Sequence, residues 1–372
     1  MAIKRYKADA DNTIVNAFRP GFFTRATGSN TGQADVLEIY SIYGRETSVG
    51  VGRTSGSQEL SRFLVQFPVS EVSSDRSAGT IPASGSVSFY LRIFNAETSN
   101  TVPRDFKLTV NPISQSWQEG IGVDLENYSD LTYNNEGSNW INASDTSAWT
   151  NVGGDYLTSS GDYLYEQTFS NGLEDLEIDI TPLVETWVAG TINNYGMLVK
   201  LSSSFEGYFS SSSGANSASL IHNPNGATIS YYTKRFFARS SQYFFKRPVI
   251  EARWNDSTKD DRGNFYYSSS LAPAADNLNT LYLYNYVRGA LTNIPAVGTG
   301  NILVSLYSGS LDNSTPSGSK LTLYDGNVNL TGGYVSTGIY SCSVAITAAS
   351  TPFTRLFDVW HSDRDWETNE PE

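Results

Sequence analysis

The sequence is short of the residues that carry most local chemistry. Of its 372 residues, one is cysteine, two are histidine and two are methionine. Charged residues make up only 17%. A single cysteine excludes an internal disulfide framework and any multi-cysteine zinc site. His222 and His361 lie too far apart to form a local metal-spaced pair. Basic charge is scarce as well: 25 Lys and Arg face 38 Asp and Glu, for a net charge of −13. A nucleic-acid coat needs a basic field and is excluded on that ground. No window approaches the roughly 18 apolar residues of a membrane helix. The start (MAIKRYKAD) meets Lys7, Asp9, Asp11 and Asn12 before any secretory apolar core of about 7–15 residues can form. Synthesis and retention in the cytoplasm is the expectation.

What is abundant points to β structure. Hydrophobic residues reach 39% and aromatics 13%, enough to fill real cores, and 31 glycines punctuate them. The length favours two domains or three. Short runs rich in Val, Ile, Thr, Tyr and Phe recur at 61–67, 86–94, 106–110, 196–201, 227–232, 248–254, 278–287 and 302–307. Gly, Ser, Asn and Asp clusters separate them, as in a sandwich of many short strands. Residues 180–190 (ITPLVETWVAG) break the alternation and read as a short helix. Thr181 is expected to cap it, Pro182 suits its first turn and Gly190 stops it. Leu183, Val184, Trp187 and Val188 form its apolar face. In 174–180, Leu176, Ile178 and Ile180 are expected to face a core, with Asp175, Glu177 and Asp179 in water.

Catalytic motifs do not emerge. Neither histidine neighbours a G-x-S-x-G elbow, and phosphate-cradling G-x-x-x-x-G-K is absent. Cys342 lies in an alternating run and reads as a packed residue. Asp124, Glu126 and Asp130, with Asn127 and Asn134, offer oxygen ligands in a loop, but without the spacing of a helix-loop-helix calcium site. No catalytic residue, metal ligand or cofactor is assigned.

One stretch is basic and aromatic together. Within 231–248 lie Lys234, Arg235, Phe236, Arg239, Tyr243, Lys246 and Arg247. Such interleaving suits a strand–turn–strand with a cationic rim, a protein interface, or contact with a glycan or nucleic acid. Tyr282, Tyr284 and Tyr286 alternate and are expected to share one strand face. Trp117, Trp140 and Trp149 fall in loop-like segments and are the candidates for stacking on sugars.

Several segments resemble the DNRLRE-type jelly-roll domain. They are 9–14 (DADNTI), 62–69 (RFLVQFPV), 86–96 (SVSFYLRIFNA), Trp117-Gln118-Glu119-Gly120, the pair Trp140 and Trp149, 180–200 and 247–252 (RPVIEA). The stretches 244–265 and 279–285 (NTLYLYN) are similar to virion structural proteins of marine, cyanobacteria-infecting contractile-tailed phages. The polar end after Trp360 does not share that likeness. The resemblance implies an all-β chain: a jelly-roll β-sandwich over 1–254, a linker at 255–264, a second, smaller β-sandwich over 265–360, and a polar tail at 361–372. It implies a structural subunit on capsid surface, neck or tail, assembled in the host cytoplasm. Partners would be other virion proteins and further copies of the chain, with a host surface glycan as a candidate contact and neither nucleic acid nor membrane. A carbohydrate-binding module is the alternative. Residues 254–372 carry 12 acidic and 6 basic side chains, so this block is the more acidic per residue. A head-to-tail contact with the basic aromatic stretch is the corresponding expectation.

Overall fold

The computed structural model describes residues 2–19, 24–45, 56–123, 136–158, 163–269, 271, 277–308, 320–321, 330–346 and 355–362. The chain is all-β and divides into two compact units, Met1–Asp256 and Ser257–Glu372.

The first unit contains β1 (Ala2–Lys7), β2 (Ala10–Val15), β3 (Val36–Arg45), β4 (Gly56–Gln66), α1 (Val69–Ser77), β5 (Ser88–Ile93) and β6 (Phe106–Pro112). After a long excursion holding the hairpin β7 (Asn142–Ser144) and β8 (Ser147–Ala148) come β9 (Tyr165–Phe169), β10 (Leu176–Asp179), α2 (Thr181–Val188), β11 (Met197–Leu201), β12 (Tyr231–Phe237) and β13 (Val249–Trp254). Antiparallel pairing orders β1-β13-β5-β10 in one sheet and β12-β3-β4-β11-β6-β9 in the other, with β2 beside β4. The two sheets enclose the main core.

Alternation decides what each strand contributes. In β4, Phe63 and Val65 point into the main core, while Leu60 and Leu64 point to the opposite face and join a second cluster. Phe63, Phe89, Phe106, Phe169 and Phe236 are all fully buried. Burying each stabilises the fold by roughly 1.5–3 kcal/mol. Phe106 stacks on Phe169 at 5.0 Å, and Phe236 meets Phe63 and Phe169 edge-on. The expected alternation in β10 holds: Leu176 and Ile178 are buried, Glu177 and Asp179 exposed.

The expected helix is present as α2, with Leu183, Val184 and Trp187 in the main core. Its start differs from expectation. Thr181 is the first helical residue and caps nothing; its hydroxyl accepts the Phe89 N–H at 2.7 Å. The helix is tied instead to its neighbours, through Phe89 and through the Arg76–Glu185 pair that joins it to α1. Gly190, at φ +71°, follows the helix in the left-handed conformation that favours glycine. The strand expected at 227–232 is displaced to Tyr231–Phe237. There Lys234 and Phe236 supply the buried positions of β12, which pairs with β3.

The second unit contains β14 (Asn279–Tyr284), β15 (Tyr286–Val287), β16 (Ala290–Leu291), β17 (Ile302–Ser308), β18 (Leu330–Ser336), β19 (Ile339–Val344) and β20 (Leu356–His361). Five strands follow the order β14-β19-β18-β17-β20, and β15-β16 form a separate hairpin. β18 changes partner midway: Leu330 to Gly332 pair with β17, and Gly333 to Ser336 with β19. The two pairings of β18 are thus staggered along its length. The enclosed cluster is Leu281, Val304, Leu306, Cys342, Val344 and Ile346. Within the stretch 255–264, Asp261 accepts the Thr280 N–H and Arg262 donates to Asp358, so its later residues belong to this unit rather than to a free linker.

Candidate functional site

The basic aromatic stretch divides into a buried strand and an exposed tip. Lys234 and Phe236 were expected on an assembly surface; both are buried, at 1% and 0% exposure. Alternation in β12 turns them inward, where Phe236 fills the aromatic core. The Lys234 ammonium donates to Asn95 Oδ1 at 2.5 Å, Gly172 O at 3.0 Å and Glu174 O at 2.9 Å. Burial pulls its pKa down to about 8, against the opposing pull of Glu174 and Asp175. Arg235, on the other face, pairs with Glu38 at 2.6 Å.

Arg239 is also committed internally. Its guanidinium forks onto Glu119, with Nη2 donating to Oε2 at 2.7 Å and Nε to Oε1 at 3.1 Å. Its backbone N–H donates to Asp11 Oδ2, and the Asp11 N–H donates to Glu119 Oε1 at 2.9 Å. Asp11 is fully buried and its Oδ1 has no hydrogen-bond partner among the described residues. Desolvation raises its pKa to about 7, with Glu119 adding to the rise and Arg239 opposing it.

Past Arg239 the chain turns outward. Tyr243, Phe244 and Phe245 are 57%, 49% and 79% exposed. A buried serine fixes the turn: Ser241 Oγ accepts the Tyr243 N–H, and Ser241 O accepts from Arg247 Nε at 2.9 Å. The Lys246 N–H donates to Tyr243 O at 2.8 Å. Lys7 Nζ lies 3.0 Å from the Phe244 ring centre and the Arg247 guanidinium 5.5 Å, while Lys246 covers Phe94 at 5.1 Å. Phe237 meets Tyr243 edge-on and Phe244 meets Phe245. The result is a short, braced knuckle of aromatic rings among three cations. Side chains held in place this way lose little freedom on docking, which favours binding an acidic, partly apolar surface.

The three tryptophans expected to stack on sugars pack against the fold. Trp140 and Trp149 are buried, at 0% and 5% exposure, and Trp117 is half-buried against the same cluster. Each indole N–H donates inward: Trp140 to Ser219 O, Trp149 to Asn139 O and Trp117 to Tyr195 O. The physical reason is the apolar outer face of the larger sheet. Leu60, Leu64 and Leu198 need cover, and the excursion before β9 supplies it.

Beneath this cover lies a charged network that the sequence reading missed. Arg62 forks onto Glu206, both contacts at 2.9 Å, and donates to Gly153 O. Lys200 lies 3.6 Å from Glu206. Burial pushes the Glu206 carboxyl up, but the charges of Arg62 and Lys200 outweigh it and hold the group below its ordinary range. Gly153 has φ +82°, and a Cβ there would meet Arg62 and Trp140 at 2.9–3.0 Å. Only glycine fits that approach.

In the second unit the expected tyrosine face is interrupted. β14 ends at Tyr284, and Asn285 turns the chain by donating to Thr292 O. Tyr282 and Tyr284 remain neighbours at 6.3 Å, whereas Tyr286 belongs to the separate hairpin. Cys342 is buried, as expected, and burial pushes its thiol up to about 12. His361 Nε2 lies 2.9 Å from the Oγ of the fully buried Ser305. His222 Nδ1 accepts the Ser211 N–H at 3.2 Å. Among the described residues, no group of three or more His, Cys, Asp or Glu is placed to hold a metal, and no helix is long and apolar enough to cross a membrane. Asp124, Glu126, Asn127, Asp130 and Asn134 lie outside the described residues, as does the tail beyond 362. Compared with known proteins, the chain matches no family model and no curated protein.

Proposed function

We propose that this chain is a structural subunit of a tailed-bacteriophage particle, on the capsid surface, neck or tail, and that it works by protein–protein contact. The observation that carries the reading is the exposed knuckle at residues 243–247. Three rings project from a sandwich whose other large aromatics are mostly packed inside. An exposed aromatic patch ringed by cations suits a protein partner of opposite charge. The likeness of 244–265 and 279–285 to cyanophage virion proteins supplies the kind of partner: neighbouring virion proteins, further copies of this chain included. Assembly takes place in the host cytoplasm.

The carbohydrate-binding alternative loses its main support, because Trp140 and Trp149 are committed to the fold. Quantitative mass spectrometry of purified particles tests the proposal. The chain is expected at a fixed copy number per particle. Its absence from particles that otherwise carry a full set of structural proteins overturns the reading.

A further inference from the structure

We propose that Lys234 and Asn95 are the partners of an intramolecular amide cross-link, a covalent staple between the two sheets of the first unit. The inference stands apart from the particle reading and rests on the geometry around Lys234. Asn95 follows β5 of the smaller sheet, and Lys234 lies in β12 at the edge of the larger one. The two segments already pair, through the Asn95–Phe236 bridge and the bonds from Ala96 N to Arg235 O and from Phe237 N to Phe94 O. The amine is thus held against the Asn95 side-chain amide, with Nζ 2.5 Å from Oδ1. Gly172 O and Glu174 O fix its other side. Orientation of this kind replaces most of the entropy cost of bringing two groups together.

The surroundings suit amide exchange. Phe169 and Phe236 flank Nζ at 5.3 and 4.6 Å and exclude water that would compete with the amine. Desolvation lowers the ammonium pKa to about 8, so part of the population is neutral and nucleophilic near neutral pH. Asp175 Oδ1 accepts the Asn95 backbone N–H at 2.8 Å and so fixes the residue that carries the amide. Asn95 is itself only half-buried, and its Nδ2 has no hydrogen bond among the described residues, which leaves a path for the leaving group. In the step, Lys234 Nζ forms a bond to Asn95 Cγ and the bond from Cγ to Nδ2 breaks. A proton from the amine passes to Nδ2, and ammonia departs. Nothing is oxidised or reduced, and the product is a secondary amide.

Intact-mass spectrometry of the purified, folded chain decides the matter. The expected mass is lighter than the sequence mass by one ammonia, and a tryptic digest is expected to yield a branched peptide joining Lys234 to Asn95. Asn95→Ala and Lys234→Met are each expected at their full sequence mass. Wild-type chain at full mass with both peptides linear overturns the proposal. So does an ammonia loss that persists in Asn95→Ala, since it would then arise at another asparagine.

Discussion

Asp11 makes a prediction with a definite sign. Its carboxyl is fully buried, one oxygen is unpartnered, and Glu119 lies on the same network. Desolvation, then Glu119, raise its pKa from 3.8 to about 7 despite Arg239. The folded state therefore holds this proton more tightly than the unfolded state. Below about pH 4 both states are protonated and the residue costs nothing. As pH rises towards 7 the unfolded chain releases its proton first, and folding stability falls by about 1.4 kcal/mol per pH unit. Above pH 7 the accumulated cost levels off at roughly 4 kcal/mol. Asp11→Asn keeps an acceptor for the Arg239 N–H and removes the titration. Urea unfolding of both chains between pH 3.5 and 8 gives the difference directly. The variant is expected to gain on the wild type with rising pH, by up to about 4 kcal/mol, with the change concentrated between pH 4 and 7. Parallel profiles would refute the assignment of a buried, proton-hungry Asp11.

Other predictions concern the network, the cover and the knuckle. Glu206→Gln leaves Arg62 buried without its counter-charge and should destabilise the first unit by about 3–5 kcal/mol in urea titrations; a loss below about 1 kcal/mol would mean that the pair is not desolvated. Trp140→Ala should cost a similar amount, about 3–5 kcal/mol, through the cavity it leaves against Leu60 and Leu64. Phe245→Ser should leave the melting temperature nearly unchanged, because the ring is 79% exposed, yet reduce incorporation of the chain into particles. Cys342 should resist thiol reagents in the native chain and react fully in denaturant, as its raised pKa and burial require.

Much of the fold was legible because strand periodicity is local. The runs at 61–67, 106–110 and 302–307 become strands at nearly those positions, and α2 sits where its period and proline placed it. The site was less legible. Lys234 reads as a surface cation until three acceptors, supplied by residues 95, 172 and 174, are brought around it by the sheet pairing. No local pattern encodes that convergence. Trp140 and Trp149 sit in Asn- and Ser-rich sequence that looks exposed. One clue was present: β4 is apolar on both faces, with Leu60 and Leu64 opposite Phe63 and Val65. A strand of that kind must be covered twice, and aromatic residues in the adjoining loops were the available cover. Arg62 was equally hidden, since its partner Glu206 lies 144 residues away. The exposed rings at 243–245 were legible as chemistry, although their separation from Lys234 and Phe236 needed the register of β12.

The central claim, that the chain is a particle subunit docked through its aromatic knuckle, is tested most directly by a density map of the whole particle. With the first unit fitted into repeated density, Tyr243, Phe244 and Phe245 are predicted to lie buried against a neighbouring subunit. Knuckles that face open solvent in every copy, or a particle with no density for this chain, would contradict the account.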